Sequence, residues 1–502
     1  MHNSRKQILI FILIIFLVKV LLSFFLPLGI DESYYVLYGR YFDWHYYDHP
    51  FMTGLVMKVI TRYCLNHEFF YRLPFMVASS ISTYLFYKTG KLLGGVNTGF
   101  FGAVLFSASL YLDIIAGFFT MPDGMLIMFW TIALYCGIRV FLVDNSQQAV
   151  RNEFIIGFGL AVGLALASKL QAVFLWLGFI SFAIFFEPTM FKNRHFWLSV
   201  LLSSLGCIPM LIWNANNEWV HFTFYKNRVG VDTILGSTFF IREIMGEIFY
   251  QNPLVFGVIL YFGFFRFNWG AERKKGIFLL LFSLPLLVFI WSVALFKETL
   301  PHWSGPSFLA LILLGSLSVN QHLSNGKRVD IHRYAVGFLF VVLITGAAFI
   351  NFYPGTIGKR DGSRKYGQGD FTLDLYGWDN SGKAIAQNLK LHGMDSLPIF
   401  ADNWFPASHF DEYLSRHSAN KVFGVGALTR IHQYHWINQR RGGVPQRDSA
   451  IFISASNYPS SPTEIYREHF SKIQCIDSVS EFRSGQRTRY FHVFLMTGKR
   501  SN

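Results

Sequence analysis

Charge is scarce in this sequence: only 15% of its 502 residues are Asp, Glu, Lys or Arg, against about 25% in soluble domains. With 52% hydrophobic residues and 55 phenylalanines, that scarcity excludes an ordinary soluble domain and describes a multi-pass membrane protein. Cysteine is scarce as well. Cys64, Cys136, Cys207 and Cys475 lie far apart, with no CxxC pair and no Cys/His spacing of a zinc site, so neither a disulfide framework nor a structural metal is indicated. Only Cys64 and Cys475 would fall together on the outer side. No glycine-rich phosphate loop follows a strand, so the signature of a nucleotide-binding domain is missing. No internal repeat or low-complexity segment stands out either, which disfavours a transporter built from tandem inverted halves.

Acids are outnumbered, 30 against 44 Lys and Arg, for a net charge of +14. In a soluble protein this would point to nucleic acid. Here the basic residues fall in short loops between apolar runs, where they set membrane orientation, so no nucleic-acid partner is expected. Arg5 and Lys6 precede an apolar run from Ile8 to about Leu28. The run has spanning length and no small-residue cleavage site, so it reads as an uncleaved first span.

Apolar stretches recur at about 8–28, 73–93, 97–117, 122–143, 154–168, 171–187, 196–213, 253–268, 276–296, 306–319 and 334–353, which predicts about eleven transmembrane helices. The short pair flanking Lys169 is the least regular. Arg5/Lys6, Lys88/Lys91, Arg139/Arg151, Lys192/Arg194, Arg273/Lys274/Lys275 and Lys327/Arg328/Arg333 fall in alternate loops, which the positive-inside rule assigns to the cytoplasm. An odd number of spans places the C-terminus outside. Beyond Phe352 the composition changes to the polar linker KRDGSRKYGQGD. Short β-rich runs follow at 397–400, 421–425, 450–454 and 490–496, with helix-like stretches near 380–390 and 462–470, the pattern of a small α/β domain. The expected organisation is a transmembrane domain over 1–353 with an outer loop at 29–72, then an outer α/β domain over 354–502.

Candidate residues gather on the outer face. The stretch 29–50, GIDESYYVLYGRYFDWHYYDHP, sets Asp31, Glu32, Asp43 and Asp48 among histidines and aromatics. Asp31 at a helix start caps it, or takes a proton from an acceptor hydroxyl as general base, and the two roles are compatible. Tyr46 and Tyr47 suit an interfacial aromatic belt, but a belt leaves Asp48 and His49 unexplained; these would hydrogen-bond a sugar or its phosphate. Asp123 follows Pro122 at a helix first turn, where an acid complements the dipole. A carboxylate so near lipid is costly unless it faces a watery cavity. Lys169 in GLALASK either snorkels to headgroups or neutralises a phosphate, and Arg72 in YRLP is open to the same two readings. His302 and Trp303 in PHWSGP anchor the interface or line a site; spacing alone does not choose.

Taken together, DESYY (31–35), YYDHP (46–50), RLP (72–74), PDG (122–124), GLALASK (163–169), WN (213–214), PHWSGP (301–306) and YGWD (376–379) resemble the bacterial branch of the GT-C glycosyltransferases. That branch, family 39, includes protein mannosyltransferase-like proteins and aminoarabinose lipid A transferases. The resemblance implies inverting transfer of a sugar from a polyprenyl-phosphate donor to a lipid, glycan or protein acceptor at the periplasmic face of the bacterial inner membrane, by a monomer. It implies Asp31 as the catalytic acid with Glu32 beside it, Asp123 as the second acid, and Lys169 against the donor phosphate. No cofactor is implied, and a divalent metal is not indicated. His302 departs from the asparagine-tryptophan form associated with relatives, which leaves the contact made there open. A lipid-linked sugar is already activated, so the chemistry needs a base, a cation for the departing phosphate and a groove for the prenyl chain. The competing reading is a multi-pass transporter or lipid flippase, which would place ionisable residues near mid-membrane; Lys19 is the conspicuous example. A receptor anchored by its membrane part is a third reading, though so many spans exceed what an anchor requires.

Overall fold

The computed structural model describes residues 2–143, 147–230, 237–324 and 329–500; Lys327 and Arg328, two of the orientation-setting cations, lie outside them. The chain divides into two compact units, one of residues 1–20, 43–56 and 72–343, the other of 21–42, 57–71 and 344–502. The stretch 29–72 is thus shared between the units.

The first unit is helical. By length and apolar composition, Arg5–Phe25, Pro122–Phe141, Gln148–Leu166 and Ile331–Phe352 are 4 helices able to cross a membrane among the described residues, or up to 7 with the bent pairs Arg194–Leu205 + Ile208–Ala215, Thr238–Tyr250 + Pro253–Phe265 and Trp269–Leu281 + Leu284–Ala294. The helix Glu68–Ala108 is broken by non-helical Gly94 and Gly95, between the second and third expected spans. On the first helix Leu9, Leu13 and Leu17, four apart and so on one face, are 46%, 54% and 55% exposed. Such a stripe is unfavourable in water and natural against lipid.

Aromatic packing fills the interior: Phe141 and Phe158 contact Phe179 at 4.7 and 4.5 Å, and Phe278 stacks on Phe282 at 4.3 Å. Small residues bring the helices close, as in membrane proteins generally. A Cβ on Gly159 would lie 2.2 Å from the Ser199 carbonyl, and one on Gly206 2.1 Å from the Gly163 carbonyl. Lys19 is neutralised inside the unit, its ammonium 2.7 Å from Asp113 and donating to Ser79 at 3.0 Å. A buried charge so paired needs no transport role.

The second unit carries one five-stranded sheet: β1 (Ile399–Ala401), β2 (Val422–Gly424), β3 (Ser449–Ala455), β4 (Phe470–Arg483) and β5 (Gln486–Lys499), in the order β2-β1-β3-β5-β4. β1 pairs in parallel with β2 and β3 (Ile399 opposite Val422 and Ile451), while β5 runs antiparallel to β3 and β4. Ser484 and Gly485, both at positive φ, close the β4–β5 hairpin in the twist such two-residue turns prefer. The YGWD motif is structural here. Gly377 has φ +75°, and a Cβ on it would meet Glu481 at 1.9 Å. Trp378 is buried beneath the Arg489 guanidinium, 4.2 Å from its ring centroid.

The helix Ile30–Arg40, which bears DESYY, is held in this second unit. Ser33 bonds Ser408 (2.9 Å) and His409 (2.8 Å), Tyr34 accepts from the Gln433 amide (3.0 Å), and Arg40 pairs with Glu412 (2.5 Å). Tyr34 is thereby held in the packing, and Tyr35 is buried against it, ring centroids 5.8 Å apart. Asp31 remains exposed at the helix start. Glu32 serves the helix N-terminus: it is buried and its Oε2 accepts from the Gly29 amide at 2.8 Å.

Candidate active site

The charged centre of the first unit begins with two breaks in helical structure. Pro122 opens the helix Pro122–Phe141, its fixed φ suited to the first turn, and places Asp123 in that turn. Gln148–Leu166 ends before Lys169, whose backbone is extended (φ −160°, ψ 136°) ahead of a short 3-10 turn. Asp123 and Lys169 are 1% and 5% exposed. The Lys169 ammonium donates to both carboxylate oxygens, at 3.1 and 3.0 Å, and Tyr111 donates its hydroxyl to the same carboxylate at 2.8 Å. An ammonium has three donors; two are on Asp123, and the third is available to an anion.

Other segments converge on this pair. The Met52 amide donates to the Ala167 carbonyl at 2.9 Å, which ties the YYDHP turn to the Lys169 turn. The YYDHP turn is closed by the Tyr46 amide on the His49 carbonyl (3.1 Å). His221 meets the Tyr47 carbonyl at 2.9 Å and Tyr225 donates to the Asp48 carbonyl at 3.1 Å. Tyr46 and Tyr47 are 0% and 3% exposed, so they are interior residues and not an interfacial belt. Asp48 is also buried.

His49 and His302 both sense the pair. Burial and then the Lys169 ammonium push the His49 ring well below its ordinary pKa, Asp123 opposing. The same causes, in the same order, bring His302 down to about 4. Both rings are neutral at pH 7. They can hydrogen-bond a ligand but add no positive charge. Arg228, whose charge acts on both histidines, supplies a second cation; its guanidinium lies over the Trp303 ring at 5.0 Å. The Trp303 carbonyl accepts from Gln171 at 3.0 Å. The loop bearing His302 and Trp303 is braced from behind, where Thr299 donates to Glu243 (2.7 Å) and Pro301 fills the space over Gly246. Glu247 on the same helix accepts from Trp291 at 3.1 Å.

Thus the structure gathers Tyr47, Asp48, His49, Asp123, Lys169, His302 and Trp303 around one centre. Arg72 is fully buried with its guanidinium over Phe118 at 4.7 Å and Phe119 at 5.7 Å, just ahead of Asp123 in sequence. Asp31 and Glu32 belong to the second unit. Among the described residues no three His, Cys, Asp or Glu side chains are grouped as metal ligands. Sequence reasoning missed Tyr111, His221, Tyr225, Arg228 and Glu243. Arg228 carried a usable signal: with Lys226 it is a cation in a loop expected on the side that the positive-inside rule leaves poor in cations.

Residues 48–213 match the family model described as dolichyl-phosphate-mannose-protein mannosyltransferase. No curated protein matches the chain in sequence. Among solved structures, ArnT from Cupriavidus metallidurans bound to undecaprenyl phosphate is similar with a TM-score of 0.63 at 14% identity, over 98% of this chain and 98% of that one. Its apo form gives 0.64 at 13% identity over the same shares. The likeness runs through both the helical part and the sheet domain. The chain therefore has the fold of ArnT over both parts, in keeping with the resemblance read from the motifs.

Proposed function

We propose that this GT-C-fold membrane protein is an inverting glycosyltransferase, moving a sugar from a polyprenyl-phosphate donor to a lipid, glycan or protein acceptor on the periplasmic side of the bacterial inner membrane. The observation that carries the reading is the buried Asp123–Lys169 pair with Arg228 beside neutral His49 and His302. A leaving polyprenyl phosphate gains negative charge as the sugar departs. Preorganised cations aimed at that charge are usually the strongest stabilisation such a site supplies.

Asp31 takes the proton from the acceptor hydroxyl, whose oxygen attacks the anomeric carbon from the face opposite the phosphate. The bond from that carbon to the phosphate oxygen breaks in the same step, the configuration inverts, and polyprenyl phosphate leaves. Lys169 offers its remaining donor to the phosphate while Asp123 and Tyr111 fix its direction, and Arg228 offers the second charge. His49 and His302 hydrogen-bond the phosphate or sugar as neutral rings, and Tyr47 and Asp48 shape the turn that presents His49. Arg72 supports the segment leading to Asp123, and Glu32 positions Asp31 by holding the start of its helix. The lipid-linked donor of this reading agrees with the undecaprenyl phosphate carried by ArnT. The expected order of about eleven spans is supported by apolar helices at each expected stretch.

Mass spectrometry of envelope glycolipids and glycoproteins from a deletion strain tests this. One glycoform should be replaced by a species lighter by one sugar, restored by the wild-type gene and not by Asp31→Asn. An unchanged envelope, with proteoliposome uptake of a solute, would instead support the transporter.

A further inference from the structure

The outer sheet domain holds a cavity of about 450 Å³, within the roughly 300–1,000 Å³ of small-molecule sites. It opens where parallel strands β1 and β3 end: Asp402 follows β1 and Asn457 follows β3, and both line it. The carboxyl ends of parallel strands are where open α/β sheets bind ligands. We propose that this cavity is a binding subsite for a neutral saccharide.

Three observations point there independently. First, Asn457 is 4% exposed, and both polar atoms of its amide are buried without a hydrogen-bond partner. A buried amide left so is costly, and a turn of the Asn457 side chain into the cavity would let an occupant supply the partner that the protein does not provide. Second, the floor is polar but balanced. Asp402, 6% exposed, is paired with Arg430 and accepts from Ser460 at 3.0 Å. Asp370, which also lines the cavity, is paired with Arg483 at 3.4 Å, so both acids are neutralised; their remaining lone pairs and the N–H groups suit vicinal hydroxyls and give no excess charge to attract a phosphate. Third, the rim is aromatic. Phe371 is 69% exposed and Tyr458 36%, and Tyr458 is fixed by an edge contact to Phe405 at 4.7 Å and by its hydroxyl on Asp374 at 2.8 Å. A rigid, exposed ring offers the apolar face of a pyranose a flat surface at little entropic cost.

An extended peptide is the less suited occupant. β1 is paired on both sides, by β2 and β3, and β3 by β1 and β5, so no strand edge is open here for a peptide to join. Saccharide binding stands on the cavity alone. Its use as the place where a glycan acceptor is held rests on the glycosyltransferase reading.

The test uses the full chain in nanodiscs free of glycoside detergent, with saturation-transfer NMR of glucose, mannose, galactose, N-acetylglucosamine and their β-linked disaccharides, and alanine tripeptide as the rival probe. At least one saccharide should give a saturable response from its ring C–H protons. Phe371→Ala, an exposed position, should weaken it about three- to tenfold, the range one aromatic contact supplies. Asn457→Leu should abolish the response while leaving the unliganded thermal midpoint equal or higher, since it removes an unpartnered amide; a merely structural asparagine would lower the midpoint. The response should persist in Asp31→Asn, which removes the proposed base of the transfer, so failure of the transferase reading and failure of this one are separable. No saturable response to any saccharide, a response unchanged in both cavity variants, or binding of the tripeptide instead would overturn the proposal.

Discussion

Removing Lys169 should do two things that a further substitution can pull apart. In Lys169→Met the Asp123 carboxylate keeps its Tyr111 bond but loses an ammonium at 3.0 Å. Both groups are almost wholly buried, so the loss leaves an uncompensated charge, at a cost of about 3–5 kcal/mol to stability. Activity should fall as well, by about 10²–10³, the usual effect of deleting one preorganised donor to developing charge. Replacing both partners, Asp123→Leu with Lys169→Met, removes the orphaned charge. Such double replacements are commonly neutral or stabilising. The double variant should therefore recover most of the thermal stability, measured by unfolding in nanodiscs, and none of the transfer, measured as polyprenyl phosphate released. If activity returned together with stability, Lys169 would be an internal strut and the phosphate role assigned to it would be wrong.

Other outcomes follow from the same site. Arg228→Met should raise the KM for donor while leaving the protein folded, because the guanidinium rests on the faces of Phe224 and Trp303, contacts worth about 0.5–1 kcal/mol when exposed; an unchanged KM would remove Arg228 from the phosphate site. His302 has its pKa lowered to about 4 by burial and then by Lys169, so between pH 6.5 and about 4 the unfolded chain binds more protons than the folded one. Stability is therefore complete above pH 6.5 and is lost as pH falls through that window; His302→Gln should flatten the slope of unfolding free energy against pH there. Gly206→Val would drive side-chain atoms into the Gly163 carbonyl, 2.1 Å from where a Cβ would sit. Overpacking of this kind costs about 1–3 kcal/mol, and with Lys169 just beyond the helix that carries Gly163, transfer activity should fall in parallel.

Long apolar runs made the helical part readable, because length and hydropathy are what a bilayer demands of a helix. Helices lie at the expected stretches, with a break at Gly94–Gly95 between two of them, but only 4, or up to 7 with bent pairs, have the length and composition to cross a membrane among the described residues, and Ser237–Tyr250 was not foreseen. In the sheet domain four apolar runs correspond to β1, β2, β3 and β5. β4 was not legible: FSKIQCIDSVSEFR pairs only with β5 at the sheet edge, so it mixes polar residues into both faces and offers no apolar run. At the site, residues in tight motifs were visible while their partners were not. Tyr111 reaches Asp123 from an irregular turn, and Arg228 lies on a helix with no motif around it. Both act through tertiary placement, which spacing does not encode. A bond at the helix N-terminus is made by Glu32, one position after Asp31, a difference of about 100° around a helix that sequence alone does not resolve.

The most direct measurement of the central claim is release of polyprenyl phosphate by the purified, reconstituted protein given a polyprenyl-phosphate sugar and envelope acceptors. The wild type should release it as the acceptor gains one sugar of inverted anomeric configuration, while Asp31→Asn, folded to the same midpoint, should release none. Release by Asp31→Asn at the wild-type rate would contradict the assignment of the base, and no release by the wild type with donors and acceptors drawn from its own envelope would contradict the transferase itself.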